Sequence, residues 1–163
     1  PVNGLVQGVR PIIGFNYGAK DRGRIFETLK ISLIVSGVLM LIGLLLFMFI
    51  PRQLLSMFNA SENMMNLGIQ TLRIMSIGFL FSAISFIISA MYESIGKGTY
   101  SLAISLVRQC IIIIPISMIF YKTIGLTGIW ITFPVSEIAA VLVCLWMFVR
   151  TCKKDAVFIK NND

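Results

Sequence analysis

Glu137 is the residue from which any chemistry in this chain has to start. It stands roughly midway between Leu126 and Arg150, in a stretch that otherwise carries no charge. A carboxylate among apolar residues is costly unless it is neutral, paired or facing water, so it is a functional hypothesis by default. Pro134, three residues earlier, has no N–H and frees the carbonyl of Trp130. Trp130, Pro134, Glu137 and Val141 share one helical face. A freed carbonyl and a carboxylate on one side of a broken helix can hold a proton or a small cation. A structural hydrogen bond to a neighbouring helix is the other reading of Glu137.

Two more groups belong beside it. Gly78, Ser82, Ser85 and Ser89 recur at intervals of four, three and four, which places them on one face of a helix. Such a face serves close helix packing, or it lines a wet cavity. Met75, Phe79 and Phe86 in the same stretch suit a promiscuous apolar pocket or plain core. Arg108 lies about nine residues into its apolar stretch, a depth of roughly 13 Å at 1.5 Å per residue. Its long side chain either snorkels back to the surface or turns inward to a gate.

Other chemistries lack their residues. There is no GxxxxGK[ST] nucleotide-binding loop and no TVGYG-like filter. No histidine occurs and Cys110, Cys144 and Cys152 are scattered, so no metal constellation and no disulfide framework are expected. Glu137 alone lies deep among the acids, which leaves no carboxylate pair for acid and base work. An enzyme is therefore not expected, and no cofactor is.

The elements that position these residues are apolar spans. Hydrophobic residues make up 57% of the chain and charged ones 13%, against roughly 25% in soluble domains. Stretches at residues 31–50, 74–92, 101–121 and 126–149 each reach the length of about 19 residues that crosses a bilayer core. The expected helices run over about 25–50, 67–92, 99–121 and 125–149, an all-α polytopic bundle in the lipid bilayer. Residues 1–24 read as the end of a membrane helix and a turn, and 151–163 as a basic tail. Because the chain opens on Pro1 and on an apolar run from Val2 to Phe15, the start of that helix is expected upstream.

Gly4, Gly8, Gly14, Gly18, Gly23 and Pro11 make residues 4–24 a helix end running into a tight turn. Pro51, Asn59, Ser61 and Asn63 supply turn chemistry after the first span, and Leu54, Leu55, Met57 and Phe58 suggest a short interfacial helix. Tyr92, Glu93, Gly96, Lys97 and Gly98 form the next turn.

The net charge of +7 does not point to nucleic acid, because the cations sit at helix ends rather than in one cluster. Lys20, Arg22, Arg24 and Lys30 precede the first full span. Lys97 and Arg108 open the third, and Arg150, Lys153, Lys154 and Lys160 follow the last. Alternate threading puts these groups on one side, which the positive-inside rule makes cytoplasmic, the C-terminus included.

Three segments carry a family resemblance. GLVQGVRPIIGFNYGAKDRGR, with Gly4, Gln7, Pro11, Gly14, Asn16, Gly18, Ala19 and Lys20, resembles a cytoplasmic turn in the second half of multidrug and toxic compound extrusion (MATE) transporters. SLVRQCIIIIP, with Arg108, Gln109 and Pro115, and GLTGIWITFPVSE, with Gly125, Gly128, Trp130, Pro134 and Glu137, follow in the family's order. The resemblance implies a twelve-helix plasma-membrane antiporter of two six-helix lobes, exporting small amphipathic or cationic compounds in exchange for H⁺ or Na⁺. This chain would supply the end of helix 8 and helices 9 to 12, a partial second lobe whose partner is the N-terminal portion of the same transporter. Some members carry acids on helices 7 and 10. Helix 10 here offers Ser82, Ser85 and Ser89 but no carboxylate within its span, so a second-lobe Na⁺ site of that type is not implied. A lipid-linked saccharide flippase of the related superfamily and a structural membrane subunit are the rival readings.

Overall fold

A computed structural model describes residues 1–58, 61–155 and 157–158, with residue 63 described in backbone only. Among these the secondary structure is entirely helical. The elements are α1 (Val2–Gly18), α2 (Arg22–Phe49), the short α3 (Pro51–Ser56), α4 (Glu62–Ser76), α5 (Phe79–Ser94) and α6 (Gly98–Leu106). A π-helical segment (Val107–Ile112), α7 (Ile113–Ile124) and α8 (Leu126–Lys154) complete the order.

Arg22–Phe49, Gly98–Ile124 and Leu126–Lys154 are long and apolar enough to cross a membrane. Met64–Ser76 and Phe79–Ser94 make a fourth crossing if the pair, bent by 51°, is one span. Their outward faces are apolar: Ile34, Val38 and Ile42 on α2, Met118 and Ile119 on α7, and Leu142 and Trp146 on α8 are all exposed. In lipid such a face needs no cover, because each helix satisfies its own backbone.

The break falls elsewhere than proline chemistry suggests. Pro134 is buried inside α8, which runs through it from Leu126 to Lys154 without interruption, so the broken helix expected there is corrected. The bend lies at Ile77 and Gly78 on the neighbouring span. A methyl group on Gly78 would sit 3.3 Å from both Pro134 Cα and Glu137 Cγ, so glycine lets the bend lie close against α8 at this level. Likewise α1 continues through Pro11, and its turn falls later, where Lys20 takes a left-handed φ of 57° and Asp21 caps α2 by accepting from the Arg24 amide at 3.0 Å. Tyr92 and Glu93 belong to α5 rather than to a turn, which begins at Ile95 and uses Gly96 at φ 74°.

The tightest packing lies where α1, α2, α5 and α8 meet. Ile13, Ile25, Ile87, Met91 and Tyr92 are fully buried there, and the Tyr92 hydroxyl bonds Thr151 at 3.0 Å. Phe158, beyond α8, inserts between Tyr17 and Phe26 with ring centroids 6.1 and 5.9 Å away. Asp155 ties the same corner, accepting from Lys97 at 2.6 Å and Tyr17 at 2.9 Å. Cys152 lies in the last turns of α8, Cys144 is buried and Cys110 exposed, and all three are free. A short helix, α3, follows the first span, and Met57 and Phe58 after it are exposed. Asn59, the Asn63 side chain and Lys160 lie outside the described residues.

Candidate functional site

Arg108 and Glu137 meet between the π-helical segment and α8. The guanidinium Nη1 lies 3.7 Å from the Glu137 Oε2, and the two side chains are 12% and 20% exposed. The guanidinium carbon also stands 4.6 Å from the Phe86 ring centre, a cation–π contact with α5. Arg108 therefore turns inward instead of snorkelling to the surface. The π-helical segment carries Arg108, Gln109 and Cys110 within two turns before Pro115, and π-helical turns recur at functional sites. Among the described residues Glu137 Oε2 has no hydrogen-bond partner.

The pair forms part of the wall of a cleft of about 540 Å³. Phe79, Ser82 and Phe86 of α5, Gln109 and Ile113, Phe133 beside Pro134, and Met40 of α2 complete that wall. Aromatic rings and one methionine supply adaptable apolar surface, and the ion pair supplies the fixed charges. The Ser82 hydroxyl donates to the Gly78 carbonyl at 3.1 Å, across the start of α5.

Of the residues singled out by sequence, Phe79, Ser82, Phe86, Arg108, Gln109 and Glu137 converge on this cleft. Ser85 and Ser89 line a second, more enclosed cavity behind it, which Phe86 and Arg108 also reach. Met75 and Trp130, both half-buried, do not form part of the cleft wall. Pro134 lies in a continuous helix rather than a broken one, and its backbone lies close to Gly78.

The motif residues have separate structural duties. Gly14 lets α1 approach the Ser94 carbonyl, Asn16 is buried and bonds the Ile12 carbonyl at 2.8 Å, and Gly125 at φ 74° joins α7 directly to α8. Gly128 packs against the Phe120 backbone, where a side chain would overlap it. Gln7 bonds Arg10 at 3.4 Å. Phe133 and Met40 were missed because neither stands out in an apolar stretch. Arg10 was missed too. It pairs with Glu93 across α1 and α5, and its charge inside an apolar run was the available signal.

The model of the MatE family matches residues 1–119, well over half of the chain. The chain belongs to the MatE family. Members of the MatE family are transporters, not enzymes, and this chain is part of a multi-pass membrane protein. Among solved structures it is similar to the MATE multidrug transporter DinF-BH, solved as a complex, at 28% identity and a TM-score of 0.86, covering 99% of this chain and 35% of that one. It is also similar in fold to an inward-facing multidrug resistance MATE transporter of the MOP superfamily, at 22% identity and TM-score 0.86, over 96% of this chain and 37% of that one. An outward-facing multidrug resistance MATE transporter gives 21% and 0.84, over 92% and 34%. The chain thus spans about a third of the length of these relatives. No curated protein sequence matches it.

Proposed function

We propose that this chain is the helix 8 to helix 12 portion of a secondary active multidrug exporter, which exchanges small amphipathic or cationic compounds for H⁺ or Na⁺ across the plasma membrane. The observation that carries the reading is an ion pair, Arg108–Glu137, set into the wall of a cleft otherwise lined largely by aromatic and aliphatic side chains. A promiscuous drug site needs adaptable apolar surface, and coupling needs a group whose charge changes when an ion binds. The basic residues at the α1–α2 turn, the α5–α6 turn and the end of α8 support, by the positive-inside rule, a cytoplasmic side for that end and the C-terminus.

Alternating access is the mechanism that fits a rigid lobe. This chain matches the inward-facing and outward-facing relatives almost equally, with TM-scores of 0.86 and 0.84. The comparison supports a lobe that moves as a body while the opening between the lobes changes sides. Ion binding at the cleft then biases one opening over the other, to the extent of its different affinity for the two states.

The test is Glu137→Gln in the intact transporter, reconstituted and assayed for drug-driven ion exchange. The variant is expected to export weakly or with an altered pH dependence. Wild-type export at every pH would confine Glu137 to a packing role.

A further inference from the structure

The serine face of α5 leads from the cleft toward the basic end of the bundle. Ser85 and Ser89 line a partly open cavity of about 170 Å³ between α1, α5 and α6, with Asn3 and Ser105 on its other walls. From Ser85 to Glu93 the helix advances about 12 Å at 1.5 Å per residue. Glu93 closes the far end, paired with Arg10 and accepting from the Ser101 hydroxyl at 2.6 Å. Ser101 in turn shares a 2.6 Å hydrogen bond with Ser89. At the near end stand Arg108 and Phe86, which wall this cavity and the cleft alike.

Three buried polar atoms have no partner among the described residues: Arg10 Nε, Ser85 Oγ and Glu137 Oε2. Each belongs to a residue that lines one of the two spaces, and Ser85 is 1% exposed. Buried polar atoms are normally satisfied by protein or by water. A water needs about 10–15 Å³ and two to four polar partners, and this cavity meets both requirements several times over.

We propose that the cavity is a hydrated route along which Glu137, on the cleft side, exchanges its proton past the shared Arg108–Phe86 wall with water at the Glu93 end of the bundle. The Glu137 carboxylic acid gives its proton to the nearest water, each water passes one proton onward, and one proton leaves beside Glu93. Glu137 ends as a carboxylate facing Arg108, and no other group changes its ionisation. Glu137 is faced by Arg108 and Gln109 from the π-helical segment and by Ser82 from α5, with Cys144 two turns further along α8 and uncharged Met40 on α2. Glu93 is faced by Arg10 from α1 and Ser101 from α6. Only the assignment of this proton to transport rests on the exporter reading.

The experiment uses uniformly oriented vesicles holding the intact transporter and N,N′-dicyclohexylcarbodiimide, which modifies protonated buried carboxyl groups. Labelling at Glu137 is quantified by peptide mass spectrometry, with Glu137→Gln as the blank. Acidifying the Glu93 side is expected to speed labelling in the wild type. In Ser85→Val/Ser89→Val that response should slow at least tenfold, while any response to the opposite side is kept. Should the double variant fail to purify as a folded protein, Ser105→Val on the facing wall is expected to slow the same response. A wild type indifferent to the Glu93 side, or valine variants that respond as it does, would overturn the route. Absent drug-dependent flux with the labelling pattern intact would instead sink the exporter reading and leave the route standing.

Discussion

At Arg108 and Glu137 the two charges stabilise each other as a pair and harm the fold singly. Both are largely out of solvent, and removing one partner leaves the other buried and uncompensated, typically at about 3–5 kcal/mol. Arg108→Gln is therefore expected to lower the melting temperature in detergent sharply, and Arg108→Gln/Glu137→Gln to recover most of the loss. Additive losses in that double-mutant cycle would mean that the pair contributes no coupling. Asp155 gives a pH-dependent counterpart outside the membrane spans. Burial pushes its carboxyl up, but hydrogen bonds from Lys97, Tyr17 and the Val157 amide, and the Lys97 charge, outweigh this and hold it below the ordinary 3.8. A folded value below the unfolded one gives stability that is present above 3.8 and is lost as pH falls from there through the folded value. The stability difference between wild type and Asp155→Asn should hold steady near neutral pH and shrink progressively below 3.8. A difference that grows on acidification would contradict the arrangement at this corner.

Among the helices, glycine sets how closely neighbours approach, and its positions sort into two kinds. Gly128 lies so near the Phe120 backbone that an added methyl would force α7 and α8 apart, whereas Gly4 and Gly8 have open space around them. Gly128→Ala should destabilise by at least the 1–3 kcal/mol typical of overpacking, roughly, because backbone cannot yield as a side chain does. Gly4→Ala or Gly8→Ala should be neutral or gain about 0.5–1 kcal/mol from helix entropy. Melting curves of the three variants check the order, and equal effects would refute it. The spans themselves were legible, since length and hydropathy fix which segments lie in lipid. The bend was not. Pro134 announces a break locally, yet α8 stays continuous while Gly78 yields on the adjacent helix, an outcome that depends on packing between segments distant in sequence. The π-helical segment at Val107–Ile112 was hidden for the same reason. Glu137 and Arg108 stood out as charges in apolar runs. The inward turn of Arg108 did not, because it depends on Phe86 and Glu137 being there to receive it.

Taken as a whole, the molecule divides its surface between a tightly tied end and an open face. Tyr17, Lys97, Asp155 and Phe158 join α1, α2, the α5–α6 turn and the end of α8 at one corner. The cleft at Glu137 lies on the less enclosed side, bounded by α2, α5, the π-helical segment, α7 and α8. A drug held there would keep part of its surface uncovered, whereas ligand sites bury about 70–90% of a drug-sized molecule. Opposed walls are what a second lobe would supply, and the chain spans about a third of the related transporters. On the exporter reading, then, this chain reconstituted alone into liposomes should sustain no drug-dependent ion flux, although its helices can still insert. The measurement is a pH-sensitive or Na⁺-sensitive dye trapped inside the liposomes, read before and after adding a cationic aromatic compound. Flux that follows the compound would mean that one lobe completes both the binding site and the coupling, and the two-lobe mechanism would have to be abandoned.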